Sequence, residues 1–195
     1  MIAPLNNPPD PSSALYELKI TLRGSKPAIW RRIQVPGDIK LSRLHKVIQI
    51  AMGWTNSHLH QFVDRRVIYG APSELDYPGV EERDERRFCL ADVARRKKAS
   101  FVYEYDFGDG WQHDIVVEKI VPAGPQKSRA VCLAGENACP PEDCGGIWGY
   151  YELLEAVNNP KHEAHQQMLD WLGEPFDPSR FDLHAVNAAL RRVKF

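Results

Sequence analysis

The chain has 195 residues, 43% of them hydrophobic and 26% charged, an ordinary globular composition that supports one compact core. With 25 Lys and Arg against 26 Asp and Glu, the formal charge of -1 excludes a global basic field for nucleic acid and an acidic excess of the kind that favours disorder. The first residues, MIAPLNNPPDPSS, have neither a basic flank nor an apolar core, and no apolar run approaches membrane-spanning length. The expectation is a cytoplasmic protein with no membrane partner, in which Cys89, Cys132, Cys139 and Cys144 are thiols or metal ligands rather than disulfides.

Residues 1–14 hold Pro4, Pro8, Pro9 and Pro11 and little to bury, so they read as a flexible lead to a single domain over 15–195. LYELKITLRG and AIWRRIQV are β-rich runs that make a hairpin about Gly24-Ser25-Lys26-Pro27. In LSRLHKVIQIAMGW, Leu44, Val47, Ile48, Ala51 and Met52 fall at helical spacing, and Gly53 suits a left-handed stop. A strand over about 57–68 follows, which gives a β-grasp-like hairpin, helix, strand start. Residues 70–87, with Pro72, Pro78 and the run EERDERR, read as a solvated loop, and LADVARRKK as a short helix.

SFVYEYDFGDGWQHDIVVEKIV is the clearest hairpin. A three-residue Gly108-Asp109-Gly110 loop with Gly110 left-handed sets Phe107 opposite Trp111, Tyr105 opposite His113, Tyr103 opposite Ile115 and Phe101 opposite Val117, one apolar face. A two-residue Asp109-Gly110 turn would set those aromatics against Gln112, Asp114 and Glu118. After PAGPQKS comes CPPEDCGG and then three helices: GYYELLEAVNN; KHEAHQQMLDWLG, with Asn159 as cap and Pro160 at its first position; and a last one capped by Asp182. The class is α+β, with a second antiparallel hairpin and a C-terminal group of helices.

Each chemical candidate has a structural alternative. The DFG tripeptide lacks a glycine-rich phosphate loop and an HRD-type loop, so it belongs to a turn rather than a kinase site. Asp106 and Asp109 at the hairpin mouth are a candidate carboxylate pair, although turns also favour Asp beside Gly. His58 and His60, two apart on a strand, share a face on which two imidazoles can converge on a divalent metal, with His113, Asp106 or a cysteine as a third ligand. The alternative is a half-buried strand with polar rungs, and for His113 a core histidine. Cys132, Cys139 and Cys144 are spaced by seven and five positions, unlike the close pairs of structural zinc sites, so a zinc knuckle there departs from the usual pattern. Arg95 to Lys98, near Phe101 and Tyr103, interleaves basic and aromatic residues as a single-stranded nucleic-acid groove does, or simply ends a helix.

In CPPEDCGG, Pro140-Pro141 stiffen the approach, Glu142 and Asp143 offer acceptors, and Gly145-Gly146 permit a reversal before the helix. Either the acids cap their own helix, or the loop folds over the hairpin. In the second case Glu142 or Asp143 comes near Arg31, Arg32 or the His58/His60 strand, and three separated motifs build one polar pocket with Trp111 as an aromatic wall.

Taken in order, YELKITLRGSKPAIWRRIQVP, LHKVIQIAMGWTNSHLHQF, FVYEYDFGDGWQHDIVVEKIV, CPPEDCGGIWGYYELLEAV and FDPSRFDLHAVNAAL resemble the plasmid pRiA4b Orf-3-like family, also labelled TnpR-like, over about 16–190. The resemblance implies a compact α+β domain carried on plasmids, transposable elements and chromosomes, and no established reaction. A resolvase would need an N-terminal nucleophilic serine with an arginine cluster and a helix-turn-helix, which this chain does not show. Two functions stay open. One is a noncatalytic binding or accessory module with a protein or nucleic-acid partner. The other is a metal-dependent hydrolase drawing on His58, His60, Asp106, Asp109, His113, Glu142 and Asp143.

Overall fold

The computed structural model describes residues 13–71, 79, 81–124 and 129–193. The proline-rich lead up to residue 12, the loop prolines Pro72 and Pro78, and residues 125–128 of PAGPQKS lie outside the described residues. Strict alternation of apolar and polar side chains makes β1 (Ala14–Leu22) and β2 (Trp30–Pro36) an antiparallel hairpin with Tyr16 opposite Val35 and Leu18 opposite Ile33. On one face Tyr16, Leu18, Ile20, Ile33 and Val35 are fully buried. The other face is a ladder of charge, including Lys119 on Glu17 at 2.8 Å and Arg32 on Glu118 at 2.5 Å.

Helix α1 (Leu41–Met52) lays Leu41, Leu44, Val47, Ile48 and Ala51 into that core and stops at Gly53, whose φ of 101° is left-handed. The strand expected over 57–68 is two strands, β3 (His60–Asp64) and β4 (Val67–Gly70), because Arg65 takes φ 57° and reverses the chain. The charged run EERDERR is not all loop: β5 (Glu81–Asp84) pairs parallel with β4 at the sheet edge, where acids and arginines face solvent. Helix α2 (Leu90–Val93) ends before Arg95, so Arg95 to Lys98 follow it as a connection in which Lys98 has φ 66°.

The second hairpin is β6 (Ser100–Tyr105) and β7 (Trp111–Pro122). Its apolar face is as expected for Phe101, Tyr103, Tyr105, Trp111, His113, Ile115 and Val117, but the register is not. Tyr105 lies opposite Trp111, Tyr103 opposite His113 and Phe101 opposite Ile115. The loop is five residues, 106–110, and Phe107 is 51% exposed. The cause is Asp106. It turns left-handed at φ 57°, gives its own N–H to Leu59 O at 2.8 Å, and accepts the Gly110 N–H at 2.6 Å on its carbonyl. A shift of two residues keeps every side chain on its face, so the pleat pattern alone could not exclude it.

A strand absent from the sequence reading, β8 (Val131–Glu136), closes the far edge. The sheet order is β5-β4-β3-β6-β7-β1-β2-β8. Helices α3 (Gly146–Asn158), α4 (His165–Leu172) and α5 (Leu183–Leu190) complete an α+β architecture. Helix α4 starts later than Asn159-Pro160 and has Ala164 as its cap, whereas Asp182 caps α5 by accepting the Ala185 N–H at 2.9 Å. Asn187 on α5 holds both the N–H and the C=O of Cys132, at 2.9 Å each, which ties the helix to β8.

Two core predictions follow from these contacts. The Tyr103 hydroxyl meets His45 Nδ1 at 2.7 Å and accepts from Gln49 Nε2 at 2.9 Å, all buried. In urea titrations Tyr103→Phe is expected to cost about 1–3 kcal/mol by orphaning those polar groups, and Tyr103→Ala about 3 kcal/mol or more through the cavity; losses under about 0.5 kcal/mol would show the ring is not core. Burial pushes His113 down to about 4 and His45 down to about 3, so the fold holds both neutral. Their contribution is full above the ordinary histidine value and falls as pH drops from there toward 4. Each adds a slope approaching about 1.4 kcal/mol per pH unit in that window, which stability measured between pH 7 and pH 4.5 checks.

Candidate functional site

Three segments meet at the turn end of the second hairpin: the 53–59 connection after α1, the 106–110 loop and the 139–146 loop before α3. Trp54 is the shared wall. Its ring stacks on Tyr105 at 5.0 Å, lies edge-on to His113 at 5.2 Å, and its indole N–H donates to Pro140 O at 3.0 Å. Glu142 then accepts from the Tyr105 hydroxyl on one carboxylate oxygen and from the Thr55 hydroxyl on the other. The same Tyr105 oxygen accepts the Ser57 N–H at 2.9 Å and the His58 N–H at 3.3 Å, so one side chain joins all three segments.

The hairpin loop in turn receives α3. Asp106 Oδ1 accepts the Gly108 and Asp109 N–H groups at 3.0 and 3.3 Å, and Asp109 Oδ2 accepts the Gly145 N–H at 3.2 Å, beside the positive end of the α3 dipole. Neither Glu142 nor Asp143 caps that helix; its cap is Gly145, in the left-handed region at φ 90°. Asn56, Asp106 and Asp143 also adopt positive φ, at 62°, 57° and 60°, which places three of the tolerated Asn/Asp type at one corner.

Asp143 turns toward His58: its Oδ1 lies 3.1 Å from His58 Nε2, and Asp106 Oδ2 lies 3.6 Å from the same nitrogen. Among the described residues these three form a group whose donor atoms all lie within 4.8 Å of one another. His60 faces elsewhere. Its Nε2 meets buried Glu85 at 2.9 Å and its ring stacks on His45 at 3.4 Å and 4°, so His58 and His60 do not converge on one site.

Of the remaining candidates, Arg31 and Arg32 are placed apart from that corner, while His113 and Trp111 lie in the core behind Trp54. Arg31 is 2% exposed and donates to the carbonyls of Ala51 at 2.7 Å, Trp30 at 2.8 Å and Glu136 at 2.9 Å, with Phe181 4.2 Å under its guanidinium. Arg32 pairs with Glu118 on the opposite face. Neither approaches Glu142 or Asp143 as expected, because β2 lies on the far side of β1 and β7 from the corner. His113 is a core histidine, with Nδ1 3.3 Å from Tyr103 O, and Trp111 is buried beside it. The four cysteines are free, and among the described residues none joins a metal-ligating group, since the chain around 132 is β8 and only 139–144 belongs to the loop.

The reactive side chains are held in their unreactive forms. Burial pushes the Cys139 thiol well up and the Cys144 thiol up to about 12, and Tyr105 rises to about 12 through burial and its hydrogen bond to Glu142. None supplies an anionic nucleophile at neutral pH. The sequence reading did not find Tyr105, Thr55 or Glu85. The signal for Tyr105 was a Tyr rather than a Phe at a buried rung, since a buried hydroxyl needs a partner; Glu85 carried none, being one acid in a charged run.

At Gly146, φ is 69° and an added Cβ would overlap Asp109 O; at Gly173, φ is 70° with open space around it. Gly173→Ala should cost about 1 kcal/mol, and Gly146→Ala about 2 kcal/mol more, since it must also push α3 off the hairpin. Equal losses in chemical denaturation would mean the helix is not seated on that loop.

Comparison with known proteins agrees with this architecture. The chain is 43% identical over 180 residues to an uncharacterised protein, y4hQ, of Sinorhizobium fredii strain NBRC 101917 / NGR234, covering 91% of each chain. A crystal structure of MM3350, a protein of unknown function from Methanosarcina mazei Go1, superposes with a TM-score of 0.77 at 38% identity, over 87% of this chain and 96% of that one. Residues 14–185 match the family described as plasmid pRiA4b ORF-3-like protein, and the chain belongs to that family.

Proposed function

We propose that the protein is a noncatalytic binding module, an accessory factor of plasmid and mobile-element biology, whose partner is a protein segment rich in Lys or Arg. One observation carries the reading: a cleft of about 680 Å3 between α3 and α4, lined by Asp143, Glu152, Glu155 and Glu163 with Leu153, Met168 and Trp171. Trp171 is 48% exposed there. Carboxylates around an open aromatic face suit a cationic side chain, which gains a cation–π contact as well as charge pairing.

A phosphate backbone would meet repulsion in the same cleft. The hollow lined by Arg23, Arg65, Arg95, Arg96 and Lys98 is the more basic place, but Asp64, Asp92 and Asp114 share its walls and Asp114 already holds Arg23 at 2.6 Å. The metal-dependent hydrolase reading has less support, because of the residues it draws on Glu142 and Asp109 are committed to holding segments together, His60 to Glu85 and His113 to the core.

The test is fluorescence anisotropy with a fluorescein-labelled octalysine peptide. Saturable binding that weakens with salt is expected, falling at least about tenfold in Glu152→Lys/Glu155→Lys. Undiminished peptide binding by that variant, or binding of a single-stranded oligonucleotide in place of the peptide, overturns the proposal.

A further inference from the structure

We propose that His58, Asp106 and Asp143 form a binding site for one divalent transition-metal ion, of the Zn2+ or Mn2+ type, that joins the 53–59 connection, the hairpin loop and the 139–146 loop. This goes beyond the peptide cleft and stands without it. The three residues come from three separate segments, and each is already oriented. The His58 ring lies edge-on to Tyr105 at 5.8 Å and 71°, while its backbone N–H is held by the Tyr105 hydroxyl. Asp106 is fixed by the two backbone N–H groups on Oδ1.

What the fold leaves over points to a ligand. His58 Nε2 is shut off from solvent and makes no hydrogen bond, although a carboxylate oxygen lies on either side of it. The Asp106 side chain is 10% exposed, and its Oδ2 lies 3.6 Å from that nitrogen. A buried imidazole nitrogen is costly to leave without a partner. The spacing fits an ion between it and the two carboxylates. Two donor atoms each about 2.1 Å from one ion lie about 3.0 Å apart at a right angle and about 3.4 Å apart at the tetrahedral angle. The observed separations of 3.1 and 3.6 Å fall around those spans.

One imidazole with two carboxylates favours a borderline transition ion over Ca2+ or Mg2+, which take oxygen alone. Asp143, 68% exposed and lining the end of the α3–α4 cleft, gives the ion its way in. Three protein ligands leave coordination positions for water.

Protein purified without a tag and stripped with chelator is titrated with ZnCl2 and MnCl2 by calorimetry, and histidine side-chain NMR follows Mn2+ broadening. One equivalent should bind, His58 resonances should broaden before those of His162, His165 and His184, and Asp143→Asn and His58→Ala should each weaken binding at least tenfold. Asp143→Asn keeps a residue that tolerates the left-handed backbone, so its fold is retained; an unchanged melting curve in chelator confirms this. No saturable binding of either ion, broadening centred on another histidine, or unchanged affinity in Asp143→Asn overturns the site.

Discussion

The Tyr105 hydroxyl is the point on which the corner of three segments depends. It donates to Glu142 and accepts from the Ser57 and His58 N–H groups, so the second hairpin, the connection after α1 and the loop before α3 are bound through one oxygen. Trp54 makes the arrangement possible by covering the Tyr105 ring and anchoring Pro140. A hydroxyl shared in this way gains strength from its neighbours in a site partly removed from water, and its loss would strand several groups at once. Everything else at the corner, including the approach of Asp143 to His58 and the seating of α3 on Asp109, presupposes that these segments are held.

The same arrangement divides the carboxylates of the corner between two kinds of work. They divide into those that hold segments and one that is turned outward. Glu142 and Asp109 belong to the first kind, since their oxygens satisfy hydroxyl and backbone donors. Asp143 belongs to the second, exposed at the end of an acidic cleft. Arg31 plays an analogous holding role in the core. Its guanidinium meets carbonyls at the end of α1 and along β2 and the β8 edge, which fixes the helix to the sheet while the charge stays buried.

Much of this was legible in the residues, and the failures have physical causes. β-Rich runs identified both hairpins, alternation gave the buried face of the second apart from Phe107, Gly53 marked the end of α1, and Asp182 marked the start of α5, because each signal is local. The register of the second hairpin was not legible, since a slip of two preserves the pleat and the decision lay with Asp106, whose N–H bonds to Leu59 across the sheet. Strand β8 escaped because its faces, VCLAGE, do not alternate cleanly and its pairing with β2 carries a bulge between Arg32 and Ile33. The glycines of the 139–146 loop did signal a close backbone approach. Which acid would meet which histidine depended on where β3 begins relative to the hairpin, a long-range matter that spacing could not supply.

If one oxygen holds the three segments, they should open together. Native-state hydrogen exchange of the Thr55, Ser57 and Gly145 amides in wild type and Tyr105→Phe tests this most directly, since these N–H groups bond to Glu142, Tyr105 and Asp109 respectively. The account predicts a common opening free energy for the three amides in the wild type, and faster exchange at all three in Tyr105→Phe while the amides of the β1–β7 ladder keep their protection. Independent exchange rates, or acceleration confined to Ser57, would contradict it.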